Sequence, residues 1–211
     1  MELLSVIINQ TTATIFIALL TAFIGPIIVE YIKIKLFSKH MRDPLVDELE
    51  YSSIINDELS DIRETLSSDR CWIIMFHNGG HFLHTNRSMQ KFSVMFESIT
   101  PGVSSIGGIF TNVPVSLYTK STQEHIINGH VYISDYDNPS VCTYGLKNIA
   151  DATGTKSSYS VALFDIATKQ CIGLLGVDYT DVNYLNQLQL DELNARAGKI
   201  SGYLSIFIKI K

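Results

Sequence analysis

The chain has 211 residues, of which 46% are hydrophobic, and a formal net charge of −5 at pH 7. This length allows one anchored domain or at most two small ones, and the acidic balance offers no electrostatic basis for binding nucleic acid. Cys71, Cys142 and Cys171 form no C-x-x-C motif, and each lies in or beside an apolar run. We therefore expect buried thiols rather than a zinc site or a disulfide framework.

A membrane anchor is predicted near the N-terminus. Residues 13–29 (ATIFIALLTAFIGPIIV) carry no charge and with their flanks approach the ~20 residues that a membrane helix needs. The preceding residues include Glu2 but no lysine or arginine, which disfavours a cleavable signal peptide. We expect a tail over residues 1–12 and one transmembrane helix over residues 13–34, in contact with membrane lipid.

The basic residues predict the topology of this anchor. Lys33, Lys35, Lys39 and Arg42 follow the apolar span, whereas no lysine or arginine precedes it. The positive-inside rule then predicts an inner-membrane protein whose soluble domain is cytoplasmic.

An amphipathic connecting helix is predicted over residues 35–67. Leucine and isoleucine recur at helical spacing between Leu45 and Leu66, opposite an acidic face, and Pro44 suits a first helical position. Such a helix can cover its own domain or pair with a second copy. We also expect a homo-oligomer that uses this helix and the C-terminal helix.

The globular domain is predicted over residues 68–211. Residues 71–76 (CWIIMF) indicate a buried strand, and Asn78-Gly79 indicates a hairpin turn directly after it. Residues 88–97 (SMQKFSVMFE) predict a helix with a wide apolar surface, and residues 107–113 a further strand.

The middle of the domain predicts two more helices around a short strand. One helix runs over residues 114–127 and is capped at Gly129; a strand covers residues 130–133; and a short helix covers residues 141–150.

A closing hairpin is the best-specified part of the chain. Residues 157–164 and 171–177 are apolar runs around a polar turn, which is typical of buried strands. Gly173 and Gly176 in the second run predict close approach of another group. A helix over residues 188–208 follows, and segregated antiparallel strands with helices indicate an α+β fold.

This order of elements resembles that of GAF domains over residues 45–204. The similar patterns are a G-x-x-x-x-x-D stretch from Gly129 to Asp135, the closing hairpin and the terminal helix; Ala162 stands where many GAF domains have proline. The resemblance implies an antiparallel sheet flanked by helices, with a small-molecule pocket on its far face.

A second resemblance is to the holins of T-even phages. It rests on the layout of tail, membrane helix and compact α/β domain, and on an N-G-x-x-Y-x-S-type strand entry at residues 128–134. It implies a lysis-timing protein that oligomerises, permeabilises the membrane and carries its domain in the periplasm. Lys33 and its basic neighbours argue for the opposite topology.

Candidate ligand-binding residues cluster around the predicted hairpin turn. They are His77, Asn78, Gly79, His81, Glu97 and Asp135. The spacing of His77, His81 and His84 matches no known zinc motif, so no metal is expected. The alternative interpretation is that Asn78 and Gly79 serve only the geometry of a turn and bind no ligand.

The function predicted from the sequence is sensing or interaction without catalysis. A G-x-S-x-G elbow and a phosphate-binding loop are both missing from the sequence, so we expect no enzyme and no cofactor. The hypothesis is a single-pass membrane protein whose GAF-like domain binds a small molecule or a protein regulator; the alternative is the holin-like lysis protein.

Overall fold

The computed structural model describes residues 44–81 and 88–207, together with Val29. By its contacts the chain divides into two compact units, Met1–Leu49 and Glu50–Lys211. The second unit contains all the strands described below.

The membrane segment predicted from the sequence is not described structurally. The predicted tail (1–12) and, apart from Val29, the predicted anchor (13–34) lie outside the described residues. Within the described ranges, none of the helices combines the length and the apolar composition needed to cross a bilayer.

Four helices and six strands make up the described chain. The helices are α1 (Pro44–Thr65), α2 (Thr119–Asn128), α3 (Lys147–Thr153) and α4 (Gln187–Phe207). The strands are β1 (Arg70–His81), β2 (Ser88–Ile99), β3 (Val113–Pro114), β4 (His130–Ile133), β5 (Ser157–Phe164) and β6 (Cys171–Tyr179). A 3-10 turn, Val115–Tyr118, leads into α2.

The strands form one antiparallel sheet in the order β3-β2-β1-β6-β5-β4. Trp72 on β1 lies opposite Glu97 on β2 and Gly176 on β6, and Gly176 lies opposite Ser160 on β5. Side chains alternate between the two sides of a strand, so each such row belongs to one side of the sheet. The closing hairpin predicted from the sequence is β5–β6, which confirms that prediction.

One side of the sheet, here called the helix face, is closed by α1 and α4. Its core joins side chains of both helices to alternate residues of β1, β5 and β6: Ile55, Leu59, Ile62, Leu66, Ile73, Val161, Leu175, Val177, Leu193, Ile200 and Leu204. Each of these is at most 2% exposed. Helix α1 therefore contributes to the core of the domain, whereas the sequence places the start of that domain at residue 68.

The opposite side, here called the pocket face, is covered by α2, α3 and the loop after β2. Its clusters are smaller, and many of their members are only partly buried. The buried apolar side chains that the sheet supplies on this side are Trp72, Ile74, Phe92, Val131, Ile133, Ala162 and Leu174.

The helix predicted over residues 88–97 is wrong, because this segment is β2. Ile74 pairs with Val94 and Ile73 pairs with Phe96, so Met95 is an extra residue in the ladder and is 55% exposed. Such a bulge interrupts the alternation of a strand. The resulting apolar spacing is compatible with a helix, which explains the error.

The turn predicted at Asn78-Gly79 is also wrong. Asn78 is paired with Gln90, and β1 continues to His81. The strand predicted over residues 107–113 is mostly loop, with only Val113–Pro114 paired to β2. The loop contributes Ile106 and Phe110 to the pocket face.

The two helices predicted in the middle of the domain are present, with later starts than predicted. Gly129 has φ 80° and its N–H donates to the carbonyl of His125 at 3.0 Å, which confirms the predicted cap of α2. Helix α3 begins later than predicted, because Tyr144 (φ 49°) and Gly145 (φ 81°) adopt left-handed backbone conformations before it.

Candidate functional site

A pocket lies between the pocket face of the sheet and the elements that cover it. Alternate residues of β1, β5 and β6 form its floor, and side chains from the loop after β2, from α2 and from α3 form its roof and walls. The cavity has a volume of about 90 Å³ and opens at its mouth to solvent. A cavity of this order suits a ligand of about one aromatic ring.

One end of the pocket is aromatic. The Phe92 ring lies 5.8 Å from the Phe110 ring and 5.6 Å from the Tyr118 ring, measured between centroids. These rings come from β2, from the following loop and from the 3-10 turn, and all three residues line the pocket. The packing leaves apolar ring surface along the wall, which suits a planar apolar ligand.

Trp72 lies in the floor against a glycine. A Cβ atom on Gly176 would collide with the indole ring of Trp72, so the glycine predicted to permit close approach makes room for that ring. Trp72 is 7% exposed and lines the pocket. Its indole N–H has no hydrogen-bond partner. A buried donor of this kind costs free energy until an acceptor reaches it.

The other end of the floor is a polar row across three strands. Arg70 on β1, Asp178 on β6 and Ser158 on β5 are paired in register and buried. The Nη1 group of Arg70 donates to Oδ2 of Asp178 at 2.8 Å, and the hydroxyl of Ser158 donates to Oδ1 of Asp178 at 2.7 Å. Asp178 and Ser158 line the pocket.

The guanidinium of Arg70 is held on every side. Its Nη1 also donates to the Thr155 hydroxyl at 3.3 Å, and its Nη2 donates to the Ser104 carbonyl at 2.7 Å. Its Nε lies 3.4 Å from a carboxylate oxygen of Glu97, an ion pair that lacks hydrogen-bond geometry. Glu97 in turn accepts hydrogen bonds from the Ile106 N–H and the Ser105 hydroxyl.

Tyr136 adds a hydroxyl to this polar end. It is 5% exposed and hydrogen-bonds Ser158. Burial, and next the charge of Asp178, raise the pKa of Tyr136 well above its usual range. The phenol therefore stays neutral and available as a hydrogen-bonding group.

A histidine joins the roof to the floor. His125 on α2 is 2% exposed; its Nδ1 lies 2.8 Å from the Ser121 carbonyl and its Nε2 lies 2.8 Å from the Ser160 hydroxyl on β5. Burial lowers the pKa of His125 to about 4, so the imidazole is neutral at pH 7. Since a carbonyl only accepts, Nδ1 carries the proton and Nε2 accepts from Ser160.

The residues predicted from the sequence as ligand-binding lie elsewhere. His77, Asn78, Gly79 and His81 share the last part of β1, where His77 Nε2 lies 2.9 Å from the Ser93 hydroxyl. The side-chain oxygen of Asn78 accepts hydrogen bonds from Ser88 and Gln90. None of these four lines the pocket described above, and their ligand-binding role stays a prediction.

Glu97 and Asp135 are separated from that group. Glu97 supports Arg70 beside the pocket, on the same side of the sheet, and Asp135 accepts the N–H of Asp137 at 2.8 Å within a turn. His84 lies outside the described residues. Among the described residues, no group of three or more His, Cys, Asp or Glu side chains is placed to hold a metal ion.

Sequence reasoning missed the polar row and the His125–Ser160 pair. Arg70 and Asp178 are distant along the chain, and only the sheet register joins them. One signal was present: Ser158 and Ser160 alternate with apolar residues in β5, although every residue from Ser157 to Leu163 is buried. When one face of a buried strand is apolar and the other carries polar residues, the polar face indicates a cavity or a polar site rather than a closely packed apolar core.

Comparison with known proteins gives a fold. No protein-family model matches the chain, and no curated protein is similar enough in sequence to be matched. Similar solved structures include the phycocyanobilin-bound GAF domain of a cyanobacterial phytochrome, with a TM-score of 0.60 and 18% identity over 77% of this chain and 88% of that one.

Two other solved structures agree with that match. The blue-light absorbing form of the Thermosynechococcus elongatus PixJ GAF domain has a TM-score of 0.58 and 16% identity over 79% of this chain and 90% of that one. A far-red cyanobacteriochrome photoreceptor has a TM-score of 0.58 and 9% identity over 82% and 98% of the two chains. Identities this low establish the fold and not the ligand. The described chain is therefore an α+β domain of GAF-like fold.

Proposed function

We propose that this chain is a non-enzymatic, membrane-anchored sensing protein whose GAF-like domain binds a small organic molecule in the pocket. The observation that carries the proposal is the pocket itself, with aromatic rings at one end, a polar row at the other and the side chain of Trp72 in its floor. Such a combination is typical of ligand sites. The similar GAF structures named for bound phycocyanobilin and phycoerythrobilin indicate that this fold accommodates organic ligands.

A catalytic role for the His125–Ser160 pair is less well supported. The pair has the spacing of a nucleophile and its base, but burial lowers the pKa of His125 to about 4. An imidazole with that pKa is a weak general base at neutral pH. We assign the pair to holding α2 against β5.

Blocking the pocket tests the binding function. Ala150 on α3 is 2% exposed and lines the pocket, whereas Ala152 on the same helix is exposed. Ala150→Leu should fill the space, and Ala152→Leu should leave it open. Trp72 is the one tryptophan of the chain, so its emission reports on the pocket directly.

The measurement is a titration of Trp72 emission with a panel of small aromatic fragments. We expect at least one fragment to give a saturable change with the unmodified protein and with Ala152→Leu, and none to do so with Ala150→Leu. If no fragment gives a saturable change, or if Ala150→Leu responds like the unmodified protein, the pocket is not a ligand site.

The membrane part of the proposal rests on the charge-free residues 13–29 and the basic residues that follow them. A reporter fused after Lys211 should be cytoplasmic. A periplasmic reporter would contradict this topology and favour the holin-like alternative. Homo-oligomerisation through α1 and α4 and contact with a protein regulator also stay proposals.

A further inference from the structure

The charges around the pocket are unbalanced. Among the described residues that line it, Asp178 supplies the one carboxylate and none is a lysine or an arginine, while burial keeps His125 and Tyr136 neutral at pH 7. Behind Asp178 lie the cation of Arg70 and the carboxylate of Glu97. This group has one positive and two negative side chains; Arg70 and Asp178 are buried, and the Glu97 side chain is 12% exposed.

Arg70 is not available to an incoming anion. It is 1% exposed and does not line the pocket, and its donors are directed at Asp178, Thr155 and the Ser104 carbonyl. An anionic ligand would therefore meet the carboxylate of Asp178 without a free cation to compensate it. Like charges in a partly desolvated site disfavour binding.

Asp178 retains capacity to accept hydrogen bonds. An ionised carboxylate has about four lone-pair sites, and the contacts from Arg70 and Ser158 occupy one on each oxygen. The aromatic wall of Phe92, Phe110 and Tyr118 closes the other end. Faces of aromatic rings attract cations, so both ends favour the same sign of charge.

We propose that the pocket takes a small aromatic molecule with a cationic N–H donor group, that uncharged amides bind more weakly and that anions bind weakest. The donor group contacts Asp178, and the ring packs between Trp72 and the aromatic wall. This inference rests on the proposed function, since it requires the pocket to bind a ligand.

Three probes of matched shape test this order of affinity. They are 4-hydroxybenzamidine, 4-hydroxybenzamide and 4-hydroxybenzoate, which share the phenol ring and differ in the charge of the head group. Calorimetric titration of the full chain should give about tenfold or greater preference for the amidine over the benzoate, a difference that one close charge contact can supply.

Two variants show whether Asp178 and the pocket cause the preference. Asp178→Asn keeps the shape and removes the charge, so the preference should largely disappear. Thr122 lines the pocket from α2 and is not fully buried; Thr122→Lys adds a cation without disturbing the Arg70 contacts and should favour the benzoate. This second variant keeps the test valid if Asp178→Asn does not fold.

The outcomes separate the two proposals. Equal or tighter binding of the benzoate by the unmodified protein would overturn the ligand class while leaving the pocket as a binding site. An unchanged preference in both variants would also overturn it. If none of the three probes gives heat at millimolar concentration but a fragment from the earlier panel still binds, the proposed ligand class is wrong and the pocket remains a binding site. If no fragment binds either, both the ligand class and the proposed binding function are wrong.

Discussion

Leu174 and Leu175 are neighbours on β6, yet they lie in two different kinds of interior. Leu175 is fully buried on the helix face, among side chains of α1 and α4. Leu174 is 8% exposed on the pocket face and lines the open space there. The two sides of one antiparallel sheet are therefore packed differently. The side under the long helices α1 and α4 is closely packed, and the side under shorter elements leaves a cavity.

Polar groups also differ between the two faces. On the helix face, Glu58 of α1 is 8% exposed and pairs with Arg196 of α4 at 2.7 Å. On the pocket face, Arg70, Asp178 and Ser158 form a buried row across three strands. Buried polar groups cost free energy unless they are paired, and both of these sets are paired.

The largest expected effect comes from truncating the two leucines separately. Leu175→Ala should lower the free energy of unfolding by about 2–5 kcal/mol, because it leaves a cavity in a closely packed region. Leu174→Ala should cost less than half as much, since its side chain already borders empty space and loses fewer contacts. Urea unfolding of both variants checks the difference.

The two leucine variants are matched in chemistry, strand and sequence position. Equal losses of stability would show that the two faces are packed equally well, and the comparison would fail. The slope of the unfolding free energy with urea should stay the same in both variants, because neither changes the surface exposed on unfolding.

A smaller effect is expected from two glycine substitutions. Gly176→Ala should lower the free energy of unfolding by about 1–3 kcal/mol, because its new methyl group displaces the Trp72 ring from a filled position. A Cβ atom on Gly198 of α4 would have no neighbouring atom within 4 Å. Gly198→Ala should therefore raise the free energy of unfolding by about 0.5–1 kcal/mol, because alanine has the higher helix propensity. Thermal unfolding measures both.

The emission of Trp72 distinguishes a local from a general effect of Gly176→Ala. The wavelength of maximum Trp72 emission should change in Gly176→Ala and stay constant in Gly198→Ala. A Gly176→Ala protein with unchanged stability and emission would mean that the indole does not rest on the glycine.

The parts of the fold that follow simple periodicity could be predicted from the sequence. The β5–β6 hairpin and α4 are continuous patterns of one period, and Gly129 caps α2 as expected from its position. Strand β2 could not be predicted in this way, because the bulge at Met95 replaces a two-residue period with an irregular one. Local pattern was sufficient only where the backbone was regular.

The site was harder to predict for a different reason. Trp72, Ser160 and Asp178 are brought together by strand register and not by proximity in sequence. The clustered histidines of β1 were more conspicuous along the chain, yet they lie on a strand end whose polar contacts are local. Apart from hairpin neighbours such as β5 and β6, the sequence pattern does not give the order of strands in the sheet, and this order decides which polar residues meet.

Strand β5 contributes side chains to the pocket on one side of the sheet and to the helix-face core on the other. Its Ser158 and Ser160 face the pocket, while Tyr159 and Val161 between and after them lie in the helix-face core. The backbone N–H of Phe164, at the end of the same strand, donates to the Ser201 hydroxyl of α4 at 3.2 Å. Four residues of one strand therefore separate Ser160, which lines the pocket, from Phe164, which contacts α4. Any displacement of β5 would change contacts on both sides of the sheet, at the pocket and at α4.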